Sequence, residues 1–148
     1  MKPAQEIPAH AVTRFDLRVR FVETDLMGIV HHAAYLTYVE AARVEYLRRR
    51  GADYRALVSQ GVHMPVVEAH LRYRKTARFD DEIVVEVRLG SLTRVTVRFD
   101  YRVFRSDSGV ESVLAEGHTL LACVGDDHAP RRIPPEVAAM LLDAELAP

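Results

Sequence analysis

Apolar and polar residues alternate from Phe15 to Phe21, with Phe15, Leu17, Val19 and Phe21 set against Asp16, Arg18 and Arg20. That period of two predicts a half-buried strand. From Ala33 to Arg50 the pattern changes. Apolar or aromatic residues fill Ala33, Ala34, Tyr35, Leu36, Tyr38, Val39, Ala41, Ala42, Val44, Tyr46 and Leu47, interrupted only by Thr37, Glu40, Arg43 and Glu45. This predicts a long helix, apolar on nearly every side and therefore buried. Arg48, Arg49 and Arg50 suit its negative end, and Gly51 suits the left-handed residue that stops it. A short helix is expected over 52–60. Four strands follow, at about 62–75, 82–89, 95–103 and 110–124, the third being the clearest. Ser106-Asp107-Ser108-Gly109 is a hairpin signal between the last two. Gly117 inside the last strand suggests a bend or bulge. Pro134-Pro135 opens a final helix over 136–144.

Short links among the last four strands imply an antiparallel meander. Its apolar face needs a cover, and the helix from Ala33 is the one apolar body long enough. The expected fold class is α+β, an antiparallel sheet wrapped around a long central helix. Residues 1–13 carry two prolines and no periodicity, and are expected as a flexible arm before a single domain at 14–148.

Composition narrows the function classes. A net charge of −1 gives no footing for general nucleic-acid binding. Cys123 is the one cysteine, which excludes an internal disulfide framework and a cysteine-based metal site. The first residues lack the apolar core of a secretory signal, and no run is long enough to span a membrane, so the expected location is the cytoplasm.

The chemistry concentrates in Glu23-Thr24-Asp25-Leu26-Met27-Gly28-Ile29-Val30-His31-His32, a polar turn that runs into the long helix. The first N–H groups of a helix lack internal partners. A carboxylate delivered beside them puts a reactive group next to an anion-stabilising one. The bland reading of Asp25 is a turn or helix cap, and of His32 an N-cap or a hydrogen-bonded core histidine. His31-His32 is a weak metal signal, because adjacent side chains point apart and no H-x-x-x-H completes a set. Glu40 and Arg43, three apart, read as an ion pair. His70, His118 and Thr37 read as structural and Cys123 as core.

The run from Glu23 to Tyr35 resembles the active-site signature of the hotdog-fold acyl-CoA thioesterases, in the branch of 4-hydroxybenzoyl-CoA thioesterase and the YbgC-like proteins. Thr76-Ala77-Arg78-Phe79-Asp80-Asp81 resembles that family's segment between its second and third strands. The resemblance covers roughly residues 15–124. It implies a thioester hydrolase in which Asp25 is the catalytic carboxylate and the backbone N–H of His32 polarises the thioester carbonyl. Gly28 takes the place of the turn glycine, Tyr35 that of the motif aromatic, and Arg94 is the nearest candidate for the CoA phosphates. No cofactor and no metal are implied, since coenzyme A enters with the substrate. The substrate would be an acyl-CoA or an acyl carrier protein thioester. The assembly would be a homotetramer, a dimer of dimers, with each site completed by a second chain. Glu23 stands where aspartate is usual, Ala34 where asparagine or serine is frequent, and Phe21 where tyrosine occurs. The competing readings are an acyl-thioester hydratase or dehydratase, for which an H-F-P segment is missing, and a non-catalytic acyl-CoA or acyl carrier protein binder. Whether Asp25 attacks directly or activates water, and which acyl group is cleaved, stay open at this stage.

Overall fold

A computed structural model describes residues 5–148. Its elements are β1 (Val12–Arg18), α1 (Ala34–Arg48), α2 (Tyr54–Ser59), β2 (Val66–Tyr73), β3 (Glu82–Leu92), β4 (Thr96–Asp107), β5 (Val110–Ala122) and α3 (Pro135–Leu142). Five antiparallel strands form one sheet in the order β1-β3-β4-β5-β2. The period-two pattern does what it predicts. Ile83, Val85, Val87 and Leu89 of β3, and Val97, Phe99, Tyr101 and Val103 of β4, are buried on one face. Against that face lies α1.

Four expectations need correction. The last four strands are not a simple meander: β3, β4 and β5 are, but β2 pairs with the far side of β5, and β1 takes the place beside β3. Alternation says which face a residue takes and nothing about which strand lies alongside. Next, α1 is not buried all round. Tyr35, Tyr38, Val39, Ala42 and Tyr46 form one stripe on the sheet, while Leu36, Thr37 and Glu40 are exposed. The first strand ends at Arg18, and Phe21 opens a 3₁₀ turn, Phe21–Glu23, with its ring exposed. Gly117 marks no bulge; it stands opposite Leu71, and a Cβ there would sit 1.8 Å from the His70 carbonyl oxygen. Of the arm expected over 1–13, Met1–Ala4 lie outside the described residues. Ala11 is buried, its carbonyl accepts from the Leu89 N–H at 3.0 Å, and Val12 and Thr13 belong to β1.

The link from β2 to β3 positions the site. It leaves the β2 edge, runs beside Val30 ahead of α1 and reaches the end of β1. Three backbone hydrogen bonds hold it there: Val30 N–H to Ala77 O at 2.8 Å, Asp80 N–H to Val19 O at 3.0 Å and Val19 N–H to Asp81 O at 2.9 Å.

Candidate active site

Asp25 opens a tight loop. Its N–H donates to Ile29 O at 3.0 Å, its carbonyl accepts from Gly28 N–H at 2.9 Å, and Thr24 bridges to Val30. Gly28 has φ +76°, a left-handed conformation that glycine takes at no steric cost. The Asp25 Oδ1 accepts the Met27 N–H at 2.9 Å, an Asx turn. Among the described residues Oδ2 accepts no hydrogen bond and Asp25 has no cationic partner. The carboxylate is half-buried at a cavity of about 210 Å³ that His32, Tyr35, Tyr73, Lys75 and Thr76 also line. Asp25, Tyr35 and the start of α1 thus come together as expected.

The donors at the head of α1 sort themselves. Ala34 N–H donates to His31 O at 2.9 Å, and Ala33 N–H donates to the His31 Nδ1 at 3.1 Å, which leaves the imidazole proton on Nε2. The N–H of His31 is taken by Glu23 O at 2.8 Å. His32 N–H donates to nothing among the described residues. Its peptide plane is nonetheless fixed, because the carbonyl of the same peptide is the His31 oxygen held by Ala34. The helix start therefore presents one oriented, unused N–H beside a carboxylate with a free oxygen. That pairing suits an electrophilic carbonyl whose oxygen gains charge as its carbon is attacked.

Neighbouring groups hold this geometry. Tyr73 donates to His32 O at 2.9 Å and stacks edge-on to Tyr35. Burial, and then Tyr73 alongside, push the Tyr35 phenol above its ordinary range, so it is neutral. Glu23 accepts from Tyr38 Oη at 3.0 Å and from the Arg20 N–H at 2.7 Å, tying the 3₁₀ turn to the helix. Burial and the Glu23 bond keep the Tyr38 phenol protonated as the donor.

Sequence reasoning passed over Tyr73, Lys75 and the cap made by His31. Only Thr76, the next residue after Lys75, fell in a quoted motif, and no local pattern reveals that β2 ends beside Asp25. Arg94 is not at this site within one chain. It is exposed in the β3–β4 turn, at the far end of β3 from Asp25, roughly 30 Å of strand away. Glu40 and Arg43 do not pair; Arg43 bonds Tyr101 instead.

The profile of the thioesterase-like superfamily matches residues 19–141. The chain belongs to the thioesterase-like superfamily. Within that superfamily it is similar to the acyl-CoA thioesterase YbgC of Haemophilus influenzae, 32% identical over 111 residues, which are 74% of this chain and 79% of that protein. It superposes on the hypothetical protein TT1821 of Thermus thermophilus with a TM-score of 0.78 and 43% identity, covering 88% of this chain and 95% of that one. A variant of 4-hydroxybenzoyl-CoA thioesterase complexed with 4-hydroxybenzoyl-CoA superposes with a TM-score of 0.82 over 88% of this chain and 99% of that one. At 18% identity that likeness speaks for the fold alone, and the fold is the hotdog fold. Among the described residues no helix of this superfamily member is long and apolar enough to cross a membrane.

Proposed function

We propose that the protein hydrolyses acyl-CoA thioesters, with Asp25 as the reacting carboxylate and the His32 N–H as the oxyanion donor. The observation that carries this reading is the free, plane-fixed N–H of His32 beside the free Oδ2 of Asp25. The thioester carbonyl oxygen accepts from His32 N–H. If Asp25 attacks the carbon itself, CoA thiolate leaves and a mixed anhydride forms, which water then cleaves to the free acid and the regenerated carboxylate. If Asp25 deprotonates a water, that water's attack expels the thiolate and gives the acid directly, and in both routes the proton from water leaves on the CoA thiol. Gly28 allows the loop its shape, and Tyr35 closes the cavity floor. Lys75 on the rim supplies a cation for a CoA phosphate.

The site is built for two chains. β2 is a sheet edge whose residues are exposed except for half-covered Leu71, and Val66, Val67 and Tyr73 present apolar surface along it. Such an edge invites pairing with a second copy. Antiparallel pairing of the two β2 strands brings a partner against Tyr73 and the Asp25 cavity, and Arg94 reaches a CoA only from another protomer. Two such dimers would complete the tetramer.

Release of CoA thiol from short-chain, long-chain and aromatic acyl-CoA esters tests the reading, with Asp25→Asn beside the wild type. The asparagine amide keeps an oxygen for the Met27 N–H, so the loop is retained. A fall of roughly 10²–10⁴ is expected for loss of the reacting carboxylate. Equal rates in both proteins would remove Asp25 from the mechanism.

A further inference from the structure

A second cavity, mostly apolar, lies away from Asp25, between the second half of α1 and the sheet. It measures about 430 Å³ and is walled by Val44, Leu47, Met64, Phe99 and Leu121, with Arg43 and Glu40 also on its lining. That volume is in the range of small-molecule sites, roughly 300–1,000 Å³. Arg43 is half-buried there and pairs with no carboxylate among the described residues. Its one hydrogen bond runs from Nη1 to Tyr101 Oη at 3.0 Å, and Tyr101 Oη lies 2.6 Å from Thr119 Oγ1. Tyr101 and Thr119 are buried. Tyr101 Oη accepts from Arg43 and shares a hydrogen bond with Thr119, and the pair fixes the guanidinium without neutralising it. Among the described residues no side-chain polar atom is both buried and unpartnered, so the remaining Arg43 donors lie open to solvent, where a ligand can reach them. A cation held rigidly on the wall of an apolar chamber is matched by an anion on an apolar body.

We propose that this cavity binds a carboxylate carried on a hydrocarbon or aryl body, with Arg43 as its receptor. Glu40, exposed on the same lining, opposes the anion and sets its affinity. Two sources share this chemistry. One is a free acid such as the hydrolysis product; the other is an acyl group ending in a second carboxylate. Both sources rest on the thioesterase reading for their biological origin, but the binding itself does not.

The test is calorimetric titration of the wild-type protein with octanoate and with octanamide, its neutral counterpart. Octanoate is expected to bind at least about tenfold more tightly, the discrimination of one charge-assisted hydrogen bond. Arg43→Gln abolishes that preference, Arg43→Lys keeps part of it, and Glu40→Gln strengthens it. In the second arm, kcat/KM is compared for suberoyl-CoA and octanoyl-CoA. A suberoyl preference that Arg43→Gln removes identifies the distal carboxylate as the source, and octanoate binding without it identifies the free acid. A wild type blind to the charge in both arms overturns the proposal, as when a neighbouring protomer's carboxylate already fills the Arg43 site. A preference that survives Arg43→Gln overturns it too. Octanoate selectivity with no hydrolysis of any ester would sink the thioesterase reading and leave this site standing.

Discussion

Proline at position 32 is the most direct probe of the oxyanion donor. His32→Pro deletes one N–H and leaves the rest of the peptide in place. Here His32 N–H donates to nothing among the described residues, and the carbonyl of the same peptide keeps its bond from Ala34 N–H. Proline is tolerated in the first turn, although it restricts the residue before it, His31. The expected stability change is therefore under about 1 kcal/mol, or less than about 4 °C in Tm for a chain of this size. The catalytic change is expected to be large. Loss of one preorganised oxyanion donor costs about 10²–10³ in kcat, which is about 2.7–4 kcal/mol of transition-state stabilisation. His32→Ala is the matched control, because it removes the exposed imidazole and keeps the N–H. The quantity to measure is the ratio of kcat between the alanine and proline variants, by CoA thiol release, with thermal melts beside it. A ratio within tenfold, in a proline variant that melts like the wild type, would refute the backbone donor. An alanine variant as impaired as the proline one would move the role to the imidazole.

Arg50→Met should cost about 1–3 kcal/mol in urea unfolding, because it leaves buried carbonyl and hydroxyl oxygens without their donor. Arg50 is buried, donates to Asp143 O, Thr13 Oγ1, Tyr46 O, His10 O and Val12 O, and lies 3.5 Å over the Tyr46 ring; a loss below about 1 kcal/mol would contradict this. Gly117→Ala forces a methyl against His70 O, so β2 must shift off β5, and amide exchange should rise along Val66–Tyr73 before it rises in β3 or β4. Unchanged protection of β2 in that variant would show the approach to be slack. Tyr38→Phe removes the bond to Glu23 and should lower stability by about 1 kcal/mol, with kcat falling while KM holds if the Glu23 turn sets the Asp25 loop. An unaltered kcat would confine Tyr38 to packing.

Element order and the central helix were readable because the strands alternate cleanly and α1 does not. The sites of failure have a common physical cause: each depends on what lies alongside, which a linear pattern does not carry. β2 has the same period as its neighbours, yet it forms an edge on the far side of β5. Arg50 reads as the third cation of a helix terminus, yet the N-terminal segment, β1 and the C-terminal segment fold over it. Glu40 and Arg43 have ion-pair spacing, yet Tyr101 reaches Arg43 from the sheet. Asp25, Gly28 and Tyr35 were legible because they are local to one another. Tyr73 and Lys75 were not, because the sheet brings them in from about forty to fifty residues downstream.

The division of labour inside the site follows from the same distinction. The chemistry end is assembled from main chain. The loop closes through Asp25, Gly28 and Ile29, its far end is stapled to Ala77, and the helix start is held by His31 and Ala34, all by backbone groups or by one imidazole. Backbone bonds do not depend on side-chain identity, so Ala34 and Phe21 can stand where other residues are usual while the loop keeps its shape. The walls of the 430 Å³ cavity are the opposite case. Nearly every group there is a side chain, and its positive charge rests on the single residue Arg43. A change of preferred ligand should therefore arise by substitution at Arg43, at Glu40, the opposing charge on the same lining, or at their apolar neighbours with the Asp25 loop untouched. Arg43→Gln is the sharpest instance: it should alter the response to a carboxylate while leaving hydrolysis of a simple acyl-CoA near the wild-type rate. A parallel loss of both would mean that the cavity and the loop are mechanically one unit, against the independence that their separate hydrogen-bond networks imply.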